Sequence, residues 1–372
     1  MSGNEVCTPK HPQSTDMWQR LACEKRPIVV YGMGNGADKL FSRFEKYGIK
    51  VADVFASDGF VRGHSYRGMR VKSFSEILAE YPDLVIVLSF ATRRDEVLSL
   101  IESLDKNYEL YIPDMPVAGE EYFDAQFYNA HYDELCRAAG LMCDEESLSL
   151  LWDTVSYKLT GKLEYLSNTV TVDSIYSLLP RESIRTAIDA GAYNGDTAKE
   201  MKSYFPSLKK IYAIEPDKRN FKKLLKYSEA ESDIEIVPIN AAVWDEDGVS
   251  RFYDSGNRNS SLTSTLSYEH RESDVPTIML DTLTKDKIDY IKYDVEGAEL
   301  SALRGSLELI RRTRPALLVS LYHRSRDLFE IPLMLAEELV GYRFYLRRLR
   351  CVPAWELNLI LIPEQIHERQ NI

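Results

Sequence analysis

Two short stretches of this 372-residue chain combine glycines and acids in the manner of a small-molecule site. The first is IVVYGMGNGADKL, residues 28–40. An apolar run meets Gly32-Met33-Gly34-Asn35-Gly36-Ala37, close to the G-x-G-x-x-G/A turn that wraps a dinucleotide pyrophosphate. Asp58, 26 residues beyond Gly32, is spaced to meet a ribose. The second stretch is AIDAGAYNGDTAKE, residues 187–200. It repeats the strand, turn and helix-start order but ends its strand on an acid, Asp189, followed by Gly191, Ala192 and Gly195. A carboxylate repels a pyrophosphate and attracts a cation, so the two loops suit ligands of opposite charge.

Further acids follow in step with the second loop. Glu215, in IYAIEPD, ends the next strand 24 residues after Gly191, where an open α/β sheet places an acid against a ribose diol. Asn240 and Ala241 end the third strand, beside the expected position of an adenine edge. Asp294, in YIKYDVEG, ends the fourth, and Ser320 to His323 end the fifth. Ligands of such sheets bind outside the carboxyl ends of the strands, so these residues converge. Singly, each acid also reads as a helix cap and each glycine as a tight turn. Their shared order favours S-adenosylmethionine (SAM), which carries an ammonium and a sulfonium and no phosphate.

IDAGAYNGDT, IYAIEPD, NAAVWDEDG, IMLDTLTKDKIDYIKYDVEGAELSALRG and RPALLVSLYHR together resemble the FkbM-type SAM-dependent methyltransferases over roughly residues 184–350. The most specific segment is Lys292, Asp294, Glu296, Gly297, Ala298 and Glu299. The resemblance implies a class I, Rossmann-like methyltransferase domain, SAM as donor, and O-methylation of a hydroxyl on a sugar, nucleotide-sugar or related small molecule. It also implies SAM-pocket roles for Asp189, Gly191, Glu215 and Asp294. Ser320 stands where many members carry an acid.

An alcohol acceptor has to lose a proton, so a base within hydrogen-bond reach is expected. His323 is the first candidate, Asp294 the second and Glu296 the third. Lys292 shares a strand face with Asp294 and serves either a substrate oxygen or a salt bridge. Arg324 and Arg347 follow strands at the binding edge, where they could clamp an anionic acceptor or simply form a solvated face. Ser261, in the polar stretch NRNSS, belongs either to a lid or to a plain loop. Asp294, Glu296 and His323 offer metal ligands without a diagnostic spacing, so no metal site is assigned.

These sites need elements to carry them. Residues 1–20 read as a tail or short leading helix, 21–115 as a small Rossmann-like domain, 116–183 as a helical connector, and 184–372 as the methyltransferase domain. In the connector a leucine stripe begins after Asp144 and ends at Gly161. In the last region seven strands are expected, the final two antiparallel, with IEIVPINAAV as a single third strand. The net charge of −12 argues against nucleic-acid partners. Five scattered cysteines lack zinc or redox spacing, and no apolar run is long enough for a membrane span. The expectation is a cytoplasmic protein with a small-molecule acceptor, and a homo-oligomer is compatible with it. Two other readings stand beside it: an NAD- or nucleotide-sugar-binding protein centred on Gly32, Gly34 and Asp58, and a scaffold that keeps the fold without turnover.

Overall fold

The computed structural model describes residues 15–57, 59, 61, 63–254 and 271–364. Asp58 and the NRNSS stretch with Ser261 lie outside the described residues.

The chain begins with α1 (Met17–Cys23), capped by Asp16, whose other carboxylate oxygen accepts from the Ala125 amide. Trp18 of this helix is buried against Phe44 and Tyr47, so the leading helix forms part of the core. Then follow β1 (Ile28–Tyr31), α2 (Asn35–Tyr47), β2 (Val51–Phe55), the hairpin β3 (Ser65–Tyr66) and β4 (Met69–Arg70), α3 (Phe74–Glu80), β5 (Val85–Leu88), α4 (Asp95–Asn107) and β6 (Glu109–Tyr111). The runs IVVY and VIVL are buried on both faces, as parallel strands covered by helices require. The parallel sheet has the order β2-β1-β5-β6, so its direction of growth reverses between β1 and β5. The Gly32 turn and the segment after β5 meet at that reversal.

The connecting helices are α5 (Ala125–Ala130), α6 (Tyr132–Ala139), α7 (Glu145–Thr160) and α8 (Val172–Leu178). Asp144 caps α7 by accepting from the Ser147 amide, and Gly161 ends it in the left-handed region. Leu150, Leu151 and Val155 of α7 enter the core of the following domain, while Tyr157 enters that of the preceding one. Truncating Leu151 to alanine would cost about 2–5 kcal/mol.

The second domain runs β7 (Thr186–Ala190), α9 (Asp196–Tyr204), β8 (Lys210–Ile214), α10 (Lys218–Ala230), β9 (Glu235–Ile239), β10 (Ala242–Val243), β11 (Gly248–Asp254), β12 (Arg271–Ile278), α11 (Leu280–Leu283), β13 (Tyr290–Tyr293), α12 (Glu299–Arg304), α13 (Leu307–Thr313), β14 (Ala316–Ser320), α14 (Asp327–Glu338), β15 (Tyr342–Arg348) and β16 (Leu357–Pro363). Its seven-stranded sheet has the order β15-β16-β14-β13-β7-β8-β9, with β16 antiparallel to both neighbours. The direction of growth reverses between β7 and β13, which opens a crevice at their carboxyl ends. The expected single third strand is instead two. Asn240 breaks it by donating its side-chain amide to the carbonyls of Glu215 and Pro216, and β10 joins β12 in a separate small sheet. No helix among the described residues is long and apolar enough to cross a membrane.

Candidate active site

The crevice holds a cleft of about 340 Å³. On one side lie Gly191, Tyr193, Glu215, Asn220 and Ala241, and at the centre Lys292, Asp294 and Glu296. Tyr176 of α8 packs on α9 through Glu200 and Tyr204, and on the other side are Tyr322, Leu349, Glu356 and Asn358, with Arg93 from the first domain. The backbone packing sets this geometry. Gly191 has φ 90°, and a Cβ there would lie 1.9 Å from the Asp294 carbonyl oxygen, so only glycine lets the two strand ends approach.

Asp189 is fully buried on β7, directly across from Lys292 in register, and its carboxylate has no hydrogen-bond partner among the described residues. Burial pushes its pKa up to about 7, an effect that the charge of Lys292 only partly offsets. Glu215 holds the turn: its carboxylate accepts from the Tyr193 amide at 2.8 Å and the Asp217 amide at 2.9 Å. Burial outweighs those two donors and raises it to about 8. Ala192 is buried behind the turn, Gly195 starts α9, and Ala241 reaches the cleft wall while Asn240 braces the Glu215 loop.

The loop after β13 forms the centre. The Glu299 carboxylate accepts from the amides of Val295 (2.8 Å) and Gly297 (3.0 Å), fixing a turn in which Glu296 has φ 54°. A non-glycine residue in the left-handed region stores strain, which collects at functional sites. His323 is fully buried beneath this turn, with Nδ1 2.9 Å from Glu299 and Nε2 3.6 Å from Asp294 and 3.5 Å from Glu296. Burial opposes its charge, but Glu299, Glu296 and Asp294 together lift it to about 10. Burial also acts on Asp294, yet Lys292 and His323 prevail and hold it at about 2. Lys292 lies 3.2 Å from one Asp294 oxygen, and the Tyr322 hydroxyl donates to the other at 3.1 Å. Glu296 lacks an equal counter-charge, and burial raises it to about 8.

The structure therefore gathers Gly191, Glu215, Lys292, Asp294 and Glu296 at one cleft, with Asp189 and His323 buried behind its wall. His323 is enclosed behind the acids and does not line the cleft, so it meets no acceptor directly. Arg324 donates to the Gly297 carbonyl at 2.7 Å and braces the turn from behind. Arg347 lies within β15, buried and paired with Asp144, rather than at the binding edge. Asp294, Glu299 and His323 are close enough to share an ion, although Glu299 already serves two amides and His323 carries a proton below about pH 10. Sequence reasoning missed Tyr176, Arg93 and Glu356, because only tertiary packing brings them to the cleft, and it gave no role to Tyr193 and Tyr322 within the stretches it did single out.

Gly32 and Gly34 have φ 107° and 101°, as the glycine-rich turn requires. Beside Gly32, however, the Phe90 ring fills the space where a Cβ would stand, at 2.5 Å.

A reversed α/β sheet with a glycine turn after β7 and an acid after each of β8 and β13, converging on one cleft, is the architecture of a class I methyltransferase. Residues 189–344 match the profile of the methyltransferase FkbM domain. The structure of methyltransferase FkbM from Methylobacillus flagellatus KT is similar, with 19% identity, a TM-score of 0.64, and coverage of 90% of this chain and 89% of that one. An rRNA methylase from Streptococcus thermophilus aligns with 14% identity, a TM-score of 0.34, and coverage of 52% of this chain and 93% of that one. Fibrillarin from Aeropyrum pernix, in complex with natively bound S-adenosyl-L-methionine, aligns with 15% identity, a TM-score of 0.32, and coverage of 51% and 74%. No curated protein sequence matches the chain.

Proposed function

We propose that the protein is a SAM-dependent O-methyltransferase acting on a hydroxyl of a sugar-like small molecule. The observation that carries this reading is the convergence of the Gly191 turn, Glu215 and Asp294 on one cleft, with the buried Asp189 carboxylate left unpartnered directly behind it. A buried acid without a partner is costly and calls for a cation. Glu215, with both oxygens already oriented by amides, keeps free lone pairs for a ribose diol.

SAM, when bound, supplies a methyl group activated on a sulfonium. The chain's own groups do the rest. Glu296 takes the acceptor's proton, because its raised pKa makes it a stronger base than an ordinary carboxylate. Asp294, held ionised, orients the acceptor hydroxyl together with Tyr322. His323 and Glu299 act as positioning residues that fix the strained Glu296 turn. Closing the cleft around both partners lowers the entropy cost of an in-line approach.

Thermal unfolding with S-adenosylhomocysteine (SAH) tests the reading. At a hundred times its Kd the ligand should stabilise the protein by about 2.7 kcal/mol. Asp189→Ala should abolish the shift. Stabilisation by NADH and none by SAH would overturn it.

A further inference from the structure

We infer that Arg93, a residue of the first domain, is an acceptor-specificity residue, and that with Glu356 it selects an uncharged polyhydroxyl acceptor over a phosphorylated one. This rests on the methyltransferase reading of the cleft. Arg93 and Glu356 both line the cleft on the side away from Gly191 and form an ion pair with each other. Their placement is built rather than incidental. The segment after β5 is bonded to the loop between β15 and β16 through Thr92 and Val352, whose amides each donate to the other's carbonyl at 2.7 and 3.1 Å. Arg350 of that loop reaches back to Asp95 at 3.0 Å and Glu102 at 2.7 Å on α4. Glu356 itself has φ 63°, and its carbonyl accepts from the Asn358 side chain at 2.8 Å. Its carboxylate is only 16% exposed, so it depends on Arg93 for a counter-charge.

The charge balance decides the ligand class. Among the described residues lining the cleft, seven are carboxylic acids and two are cations, Arg93 and Lys292. Lys292 is committed to Asp294, and Arg93 to Glu356. The Arg93 side chain is 54% exposed, so the cost of a phosphorylated acceptor that detached it would fall on the shielded Glu356, left without its counter-charge. An uncharged polyol meets the intact pair instead. The guanidinium offers planar donors and the carboxylate paired acceptors, which match the two hydroxyls of a vicinal diol. Tyr322, stacked on Trp355 in the same loop, adds an aromatic face at this end of the cleft.

The test uses the full chain saturated with SAH and follows saturation-transfer NMR of three probes: methyl α-glucoside, myo-inositol and UDP-glucose. The expected result is transfer to at least one uncharged polyol, lost in Arg93→Met and in Glu356→Gln, with the SAH affinity of both variants within threefold of wild type. Arg93→Lys should restore only part of the signal. UDP-glucose should bind no tighter than methyl α-glucoside. Tenfold tighter UDP-glucose binding that Arg93→Met removes would overturn the inference in favour of a phosphate clamp. Polyol binding unaffected by either variant, or no polyol transfer at millimolar concentration, would also overturn it. Failure of SAH itself to bind would instead strike the methyltransferase reading.

Discussion

The sharpest consequence of the buried Asp189 is that binding of the cationic ligand should depend on pH. In the free protein burial pushes this carboxyl up to about 7 from an ordinary 3.8. Below that pH it is largely protonated and has no charge to offer an ammonium. The ionised fraction rises from about 3% at pH 5.5 to about 76% at pH 7.5 for a group of pKa 7. SAH affinity should therefore tighten about 25-fold over that range, with up to one proton released on binding. Titration calorimetry in two buffers of different ionisation enthalpy measures both quantities. Asp189→Asn keeps the shape and removes the charge, so its affinity should be weak and nearly independent of pH. A flat wild-type profile would refute the reasoning. An unchanged slope in Asp189→Asn would move the effect to Glu215 or Glu296.

The same group makes the free protein's stability fall as pH rises. A carboxyl whose folded pKa lies above its unfolded value contributes stability that is whole below about 3.9 and lost through about 7. The difference of about three units corresponds to about 4 kcal/mol. The melting temperature without ligand should accordingly drop between about pH 4 and 7, and SAH should reverse much of the drop.

Two further outcomes follow from the site geometry. Glu296→Gln should lower kcat by about 10²–10⁴ while SAH affinity stays within threefold, and wild-type kcat should rise with pH through about 8, as the pKa of Glu296 requires; steady-state kinetics checks both. Gly191→Ala puts a methyl group 1.9 Å from the Asp294 carbonyl oxygen at φ 90°, so urea unfolding should show a loss of roughly 2 kcal/mol or more, together with loss of SAH binding.

Much of this architecture was legible from local pattern. Buried runs such as IVVY, TAIDA and ALLVS alternate with amphipathic stretches, and Asp144 and Gly161 bracket a helix by cap chemistry alone. The acids at strand ends were legible because a parallel sheet brings successive carboxyl ends to one edge. What stayed hidden depends on which way a side chain turns after its strand. His323 follows β14 at the expected edge, yet the Glu299 carboxylate draws it inward, and the pair holds the Glu296 turn from beneath. Asn240 sits inside an apolar run, and only its two bonds to the carbonyls of Glu215 and Pro216 show why the strand ends there. Arg347 reads as an edge cation until α7 supplies Asp144 beside it.

The first glycine turn shows how far a motif can be separated from its usual ligand. G-x-G-x-x-A marks a place where backbone must approach something closely, and the sequence leaves the partner of that approach open. Here the partner belongs to the protein: the Phe90 ring packs on Gly32, and Gly36 lies against the Ser89 carbonyl, where a Cβ would be 2.1 Å away. Drawing β1 and the end of β5 this tightly together aims the next residues, Thr92 and Arg93, out of the sheet edge and onto the loop of the second domain. Both glycine turns therefore do the same mechanical work, closing two strand ends at a point where the sheet reverses. The second leaves its acid unpartnered behind the wall of a cleft, whereas the first fills its own crevice and exports an arginine to that cleft.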